Sequence, residues 1–141
     1  MKVVESRTLL IADSPGNNRL DSLENIIATT QIGLLFMVPG VDETLRVNGT
    51  AVVSTDETEL KRCENNLRVP KLVIRVSVHA SYLHCAKALM RSDLWNPEKH
   101  LDRSQLPSMG EMLRDQMVGK LPTETVFETQ EQMLARYQKT L

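Results

Sequence analysis

Short apolar runs alternate with polar turns along the first two thirds of the chain. Residues 8–13 form a β-compatible run that ends in a dense turn signal, DSPG. The next apolar side chains share one helical face, at positions 20, 23, 26 and 27. Asn18, or Asp21 together with Glu24, can cap this helix. The pattern therefore predicts a strand followed by a helix.

Three further strands follow from the apolar pattern. Residues 32–39 are an almost unbroken apolar run, which is typical of a strand buried on both faces. Residues 44–54 contain Asn48-Gly49 at their centre, which fits either a tight hairpin turn or a glycine bend in one curving strand. The short flanking pieces favour the bend. Residues 71–85 begin with clean alternation and form the longest strand candidate.

Helical patterns occupy the remaining segments. Residues 56–66 and 86–94 are compatible with short helices, and two amphipathic helices are predicted near 108–118 and 123–140. The strands are too few and too unevenly spaced for a Rossmann-type sheet. We therefore expect an antiparallel barrel or strongly curved sheet with peripheral helices. The length of 141 residues indicates a single domain, with a helical C-terminal extension from about residue 108.

Charge and composition limit the classes of partner. The 17 basic and 18 acidic residues give a net charge of -1, so no overall field favours nucleic acid or an anionic membrane. No apolar run approaches membrane-spanning length, and the first residues lack the hydrophobic core of a signal peptide. A cytoplasmic protein with its two cysteines reduced is the natural expectation. Any anion site must therefore be local.

The first candidate site is the strand-to-helix junction with the sequence PGNNR. A helix N-terminus presents unpaired N–H groups and a partial positive charge, which attract phosphate. Asn17 and Asn18 can donate through their side-chain amides, and Arg19 adds a guanidinium that fits phosphate oxygens. An ordinary capped turn with a surface arginine explains the same residues. Asp21 also places a negative charge in the same first turn.

Two other groups of polar residues are candidates. Thr44, Arg46 and Asn48 share one face of a strand by two-residue periodicity, which suits either a ligand cleft or a solvent-facing surface. Lys87 and Arg91 stand one helical turn apart, and Trp95 follows; such a set fits an anionic, planar ligand. A solvated helix face and a core tryptophan explain this second set equally.

Metal and thiol chemistry are disfavoured. His79, His84 and Cys85 lack an evident fourth ligand, and adjacent residues seldom both bind one metal. On a strand, neighbouring side chains point to opposite faces, so the imidazole of His84 does not address the Cys85 thiol. Both histidines and the cysteine are interpreted as structural.

Three blocks in one order resemble a known family: LLIADSPGNNRLDSLENI, GLLFMVPGVDETLRVNGTAVVS and HCAKALMRSDLWNP. They are similar to the pyridoxamine 5'-phosphate oxidase-like proteins, and more narrowly to the pyridoxamine phosphate oxidase-related FMN-binding subgroup. The resemblance covers about residues 8–113. It implies an antiparallel, Greek-key-like split barrel of six strands with peripheral helices. It also implies a homodimer that holds FMN in a cleft at the subunit interface.

The resemblance assigns roles to eight residues. The junction supplies the phosphate site, with Arg19 as the main partner and Asn17 and Asn18 assisting. Polar groups of the second block face the flavin, and the third block contributes to the flavin or dimer cleft. These last two groups comprise Thr44 and Arg46, and Lys87, Arg91 and Trp95.

One departure from the family concerns the N-terminus. Members of the subgroup usually have a helix and two strands before the one that matches TLLIAD, whereas this chain begins almost at that strand. We therefore expect a barrel that is incomplete at its N-terminus, with exposed sheet edges that invite pairing with another chain.

Two functions follow from the resemblance. The first is an FMN-dependent oxidoreductase, and the alternative is a non-catalytic flavin-binding or dimerisation protein. Catalytic residues stay unassigned, because the sequence offers no convincing acid–base pair. True pyridoxamine phosphate oxidase activity is disfavoured, since the arginine-rich C-terminal motif of those enzymes is absent. A small α+β protein without a ligand explains each motif taken singly.

Overall fold

A computed structural model describes residues 1–16, 19–65, 68–122 and 124–139. The chain separates into two compact units, Met1–Asn96 and Pro97–Leu141. The first unit contains a sheet with three helices, and the second is helical. The prediction of a single domain with a helical extension from about residue 108 stays a prediction.

The sheet has five strands in the order β1-β2-β5-β4-β3, and every neighbouring pair is antiparallel. This open antiparallel sheet with peripheral helices confirms the predicted fold class, an antiparallel sheet of the split-barrel type. The elements in chain order are β1 Lys2–Glu5, β2 Thr8–Ala12, α1 Asp21–Thr29, β3 Gln31–Phe36, β4 Thr44–Ser54, α2 Glu57–Arg62, β5 Val73–His84, α3 Lys87–Ser92, α4 Met109–Gln116 and α5 Gln130–Gln138.

The sequence analysis missed the first strand. β1 has only four residues, is charged at both ends and pairs with β2 through Lys2↔Leu10, Val3↔Leu9 and Glu5↔Thr8. The register shifts between Val3 and Glu5. A strand this short carries too few alternating positions to be recognised from its pattern alone.

Helix α1 has no side-chain cap at its N-terminus. The N-cap residue is Leu20, so the prediction that Asp21 caps the helix is wrong. The Asp21 carboxylate instead receives the Arg19 guanidinium at 2.6 Å. Asn18, the other predicted cap, lies outside the described residues. At the far end, Thr30 adopts a left-handed conformation (φ 57°) and its N–H donates to the Ile26 carbonyl.

The prediction that residues 32–39 form a strand buried on both faces is wrong. β3 is an edge strand, and its side chains alternate between exposed and half-buried. Leu35 is 51% exposed. An unbroken apolar run indicates burial on both faces only where neighbouring elements cover both, and here α1 packs on one face only.

The prediction of one curving strand across Asn48-Gly49 is confirmed. β4 runs unbroken for 11 residues, and its register with β5 shifts between Asn48 and Gly49. At that point the strands approach closely, because a Cβ on Gly49 would lie 2.1 Å from the Ser77 carbonyl oxygen. Glycine is therefore required for this contact. The shift leaves His79 as the extra residue, since Asn48 pairs with Ala80 and Gly49 with Val78.

Two apolar clusters cover the two faces of the sheet. One lies under α1 and contains Leu9, Ile26, Val47, Ala51 and Val76. The other lies under α2 and joins Leu10 and Val73 to Cys63, with Leu60 at its margin. The predicted apolar side of the segment 56–66, formed by Leu60 and Cys63, is confirmed. Asp56 starts α2 by accepting from the Thr58 and Glu59 amides.

Two helices of the second unit begin at capping boxes. Ser108 and Glu111 cap α4, and Thr129 and Gln132 cap α5. The second box fixes the start of α5 at Gln130, later than the predicted residue 123. The Arg136 guanidinium donates to both carboxylate oxygens of Glu128, and these bonds lower the pKa of Glu128. Among the described residues, no helix has the length and apolar character needed to cross a bilayer.

Candidate functional site

The polar face predicted on β4 lies at one end of the sheet, which we call the open end: residues 44–48 of β4 and 80–84 of β5. There Thr44 pairs with His84, and Arg46 pairs with Tyr82. Arg46 also pairs with Leu35 on its other side, so Leu35, Arg46 and Tyr82 form one cross-strand row. Directly opposed residues share a face of the sheet.

Burial differs between the two predicted β4 residues. Thr44 is buried, at 7% exposure, whereas Arg46 is exposed. The Arg46 row is largely open, since Leu35 and Tyr82 are also exposed. On the opposite face of the same strands, Leu83 is 72% exposed. The open end thus presents a guanidinium among apolar and aromatic side chains that one chain does not cover.

The third predicted block follows immediately from β5. Only Cys85 and Ala86 separate His84 from α3, where Lys87 and Arg91 lie one turn apart and are both exposed. The half-buried Trp95 donates its indole N–H to the Val41 carbonyl at 2.9 Å. Because Val41 lies just before β4, this bond holds the end of the third block beside the start of the second.

The strand register therefore brings two predicted blocks together. Thr44 and Arg46 lie beside the strand end that leads into Lys87 and Arg91. The hydrogen bond from Trp95 to the Val41 carbonyl holds the end of the third block beside the loop that precedes β4. The sequence analysis predicted the members of this set, but it missed Tyr82 and Leu35. Tyr82 lies beside Arg46 because of the β4–β5 register, which the bulge at His79 shifts by one residue. Leu35 lies there because of the regular β3–β4 register.

Arg19 belongs to neither strand of the open end. It is exposed at the start of α1, where Nε lies 2.6 Å from Asp21 Oδ2 and the two side chains are 75% and 59% exposed. Such a solvent-exposed pair contributes about 0–1 kcal/mol. Asn17 and Asn18, predicted to assist Arg19, lie outside the described residues.

Two cavities lie away from these residues. One, of about 620 Å³, is in the second unit, between the start of α4 and the segment that leads into α5. The other, of about 260 Å³, lies on β4 and β5 and is lined by Thr30, Thr50, Ala51, Val52, Arg75 and Ser77. None of the six predicted site residues that the structure describes lines either cavity.

Metal and thiol chemistry gain no support from the geometry. In the part of the chain that the structure describes, no three histidine, cysteine or acidic side chains are grouped to hold a metal ion. Cys63 is buried, Cys85 is exposed, and both are free thiols.

No family model and no curated protein matches the chain. The chain is similar to solved structures of HupZ from Group A Streptococcus. One of these, a histidine-to-alanine variant, has a TM-score of 0.50 and 20% sequence identity, and the match covers 60% of this chain and 72% of that one. The second has a TM-score of 0.49 and 21% identity, with coverage of 59% and 67%. The first likeness shows a shared fold.

Proposed function

We propose that the chain is an FMN-binding flavoprotein of the pyridoxamine 5'-phosphate oxidase-related type, an FMN-dependent oxidoreductase whose flavin site lies at a subunit interface. The observation that most supports this proposal is the pairing of β4 with the end of β5. That pairing puts Thr44 and Arg46 next to the block that carries Lys87, Arg91 and Trp95.

The chemistry of the open end suits the flavin. Arg46, Lys87 and Arg91 are exposed cations in a protein whose net charge is -1, so they form a local attraction for an anion. Tyr82 offers a planar apolar surface with a polar tip, as a flavin ring requires. Two acidic residues, Asp42 and Glu43, precede Thr44, and their negative charge weakens this attraction.

In this proposal the FMN phosphate binds at the start of α1. Because α1 packs on the face of the sheet opposite to Arg46, the cofactor would pass around the end of the strands. The first turn has no side-chain cap, and Arg19 stands immediately before its N-cap residue, Leu20. Transfer of the Arg19 guanidinium from Asp21 to a phosphate gives up a pair worth about 0–1 kcal/mol. The exposed pair is therefore weak enough to be given up for a phosphate.

Bound FMN would supply the redox chemistry, and the chain would bind and orient it. Arg46 and Thr44 would face the ring, and Lys87 and Arg91 would neutralise charge at its polar end. Trp95, held by the Val41 carbonyl, would fix the loop beside the site. No residue is assigned as an acid or base for a substrate.

A homodimer completes the proposed site. In one chain the open end is a surface with exposed apolar side chains on both faces, among them Leu35, Tyr82 and Leu83. A partner subunit would extend this surface with a second copy of the same residues. The same open surface also favours the alternative function, a non-catalytic flavin-binding or dimerisation protein.

The decisive measurement is uptake of FMN by the purified chain. We expect added FMN to lose fluorescence and to show a shifted visible spectrum on binding. Reduction of the bound flavin by a nicotinamide cofactor would favour the oxidoreductase, and a bound but inert flavin would favour the alternative. A chain that takes up no FMN contradicts both.

The phosphate assignment has its own test. Arg19→Ala should weaken FMN binding about tenfold while leaving riboflavin binding unchanged, because riboflavin lacks the phosphate. Arg62→Ala serves as the control, since Arg62 is an exposed arginine in the last turn of α2. Equal FMN affinity for wild type and Arg19→Ala would show the assignment to be wrong.

A further inference from the structure

The two edges of the sheet differ in how well they resist pairing with another chain. β1 has four residues, carries Lys2 and Glu5 and is irregular in register, all features that discourage edge-to-edge contact. β3 has six residues and a regular register with β4. No charged residue occurs between Gln31 and Val41. β3 is therefore an unprotected edge.

One hydrogen bond shows which backbone groups of β3 point away from β4. The Ala51 amide donates to the Thr30 carbonyl at 2.7 Å, in continuation of the pairing Gln31↔Thr50. Bonded and non-bonded pairs alternate along an antiparallel ladder. The backbone N–H and C=O groups of Ile32, Leu34 and Phe36 therefore bond to β4. The corresponding groups of Gln31, Gly33 and Leu35 point away from it.

We propose that this outer edge pairs with β3 of a second copy of the chain, antiparallel and about a two-fold axis at Gly33. Gly33 then faces Gly33 of the other copy, and Gln31 faces Leu35 in both directions. The two five-stranded sheets become one continuous sheet. This inference rests on the homodimer of the proposed function and names the surface through which it forms.

The features of β3 favour a second copy over another partner. The segment is uncharged, so two copies meet without like charges, and it offers no charge for recognition of a different protein. The half-buried Ile32, Leu34 and Phe36 lie at the rim of the α1-side cluster. A second β3 would place Ile32 opposite Leu34 in both directions. A two-fold axis also uses the same patch on both subunits, as a closed dimer requires.

Pairing at β3 keeps the proposed flavin surface accessible. Arg46 lies one strand in from the edge and Tyr82 two strands in, on the face that also carries Gly33 and Leu35. At the axis the two glycines leave that face without side chains. The exposed rows of both subunits therefore become one surface across the dimer.

Disulfide trapping tests the register directly. In a Cys85→Ser background, Gly33→Cys places two thiols on a bonded antiparallel pair about 5.5 Å apart between Cα atoms, which is within disulfide range. We expect a covalent dimer on oxidation. Gln31→Cys alone should form none, but a mixture of Gln31→Cys and Leu35→Cys chains should. Val3→Cys on β1 is the control for random collision.

A second test removes one outward donor. Leu35→Pro deletes an N–H that points away from β4, so the β3–β4 ladder remains intact. Sedimentation should show a dimer for wild type and at least tenfold weaker association for Leu35→Pro, with Val3→Lys unchanged. Circular dichroism reports whether each variant is folded. If Leu35→Pro fails to fold, Leu35→Lys replaces it, with the same expectation.

The outcomes separate this inference from the proposed function. A monomeric wild type, equal trapping at positions 3 and 33, or fibres formed through both edges would overturn the β3 pairing. FMN titration of the wild-type chain reports on the function, because Gly33 and Leu35 lie on the proposed flavin face and their variants can change both. Flavin binding without trapping leaves the function standing and removes the interface, whereas trapping without flavin binding does the reverse.

Discussion

The two halves of the β4–β5 ladder share one backbone pairing but differ in their surroundings. In the inner half, residues 51–54 of β4 pair with 73–76 of β5, and Ala51, Val73 and Val76 are at most 2% exposed. In the open end, Tyr82 and Leu83 are 46% and 72% exposed. Helices account for the difference: α1 and α2 cover the inner half from opposite faces.

This difference shows that the covering elements, and not the strand pattern, decide where the core lies. Both halves of β5 carry apolar residues, yet only those of the inner half are buried. The bulge at His79 divides them and shifts the phase of the side chains. The inner half of β5 therefore lies in the core, and its open end stays exposed.

The largest effect is expected at the boundary between the halves. Gly49→Ala places a methyl group 2.1 Å from the Ser77 carbonyl oxygen, so the backbone of one strand must move. Overpacking against backbone should lower the free energy of unfolding by about 3 kcal/mol or more. Denaturant titration at fixed protein concentration measures it.

Gly33→Ala is the matched control for this substitution. Its new methyl group meets only the Asn48 side-chain oxygen, at 3.4 Å. The change in the free energy of unfolding should stay within about 0.5 kcal/mol. Equal losses for the two variants would mean that close approach at Gly49 is not what distinguishes the boundary.

The next effect contrasts burial along one strand. Val76→Ala removes two methyl groups from the centre of the α1-side cluster, where the valine is fully buried. The free energy of unfolding should fall by about 2 kcal/mol. Leu83→Ala, on the open end, should change it by less than about 0.5 kcal/mol. A large loss at Leu83 in the monomer would contradict an open surface there.

The sequence predicts these halves unevenly. β2 was predicted from its apolar run and the turn that follows, β5 from its alternation, and Gly49 correctly indicated one bent strand, β4. β3 was correctly predicted as a strand. Its burial on both faces was wrong, because an apolar run does not reveal whether neighbouring elements cover both faces. β1 was missed since four residues carry too little pattern. The start of α5 was predicted too early, because the sequence does not show which of several polar residues forms the N-cap.

The candidate site was predictable in its members but not in its arrangement. Arg46, Lys87 and Arg91 are recognisable as cations on regular elements. Their proximity depends on Thr44 pairing with His84, which follows only when the bulge is known. Tyr82 was missed for the same reason, and Leu35 because the β3–β4 register is not visible in the sequence. Arg19 stays a prediction from the family resemblance.

A smaller effect is expected on binding at the open end. Arg46→Ala should weaken FMN binding about tenfold, or ~1.4 kcal/mol, because it removes an exposed cation beside the proposed ring site. The free energy of unfolding should not change, since Arg46 is exposed. Arg62→Ala on α2 is the control. An FMN affinity lowered equally by both would indicate general charge attraction instead of a site.

The smallest effect concerns the bond that holds the third block. Trp95→Phe keeps an aromatic ring but removes the N–H that donates to the Val41 carbonyl. A typical hydrogen bond contributes about 1 kcal/mol, so the loss of stability should be no larger. Hydrogen exchange should instead rise locally in residues 37–43, with FMN affinity reduced in step. Unchanged exchange there would mean that other contacts already fix the loop, and that the open end is more rigid than its exposure suggests.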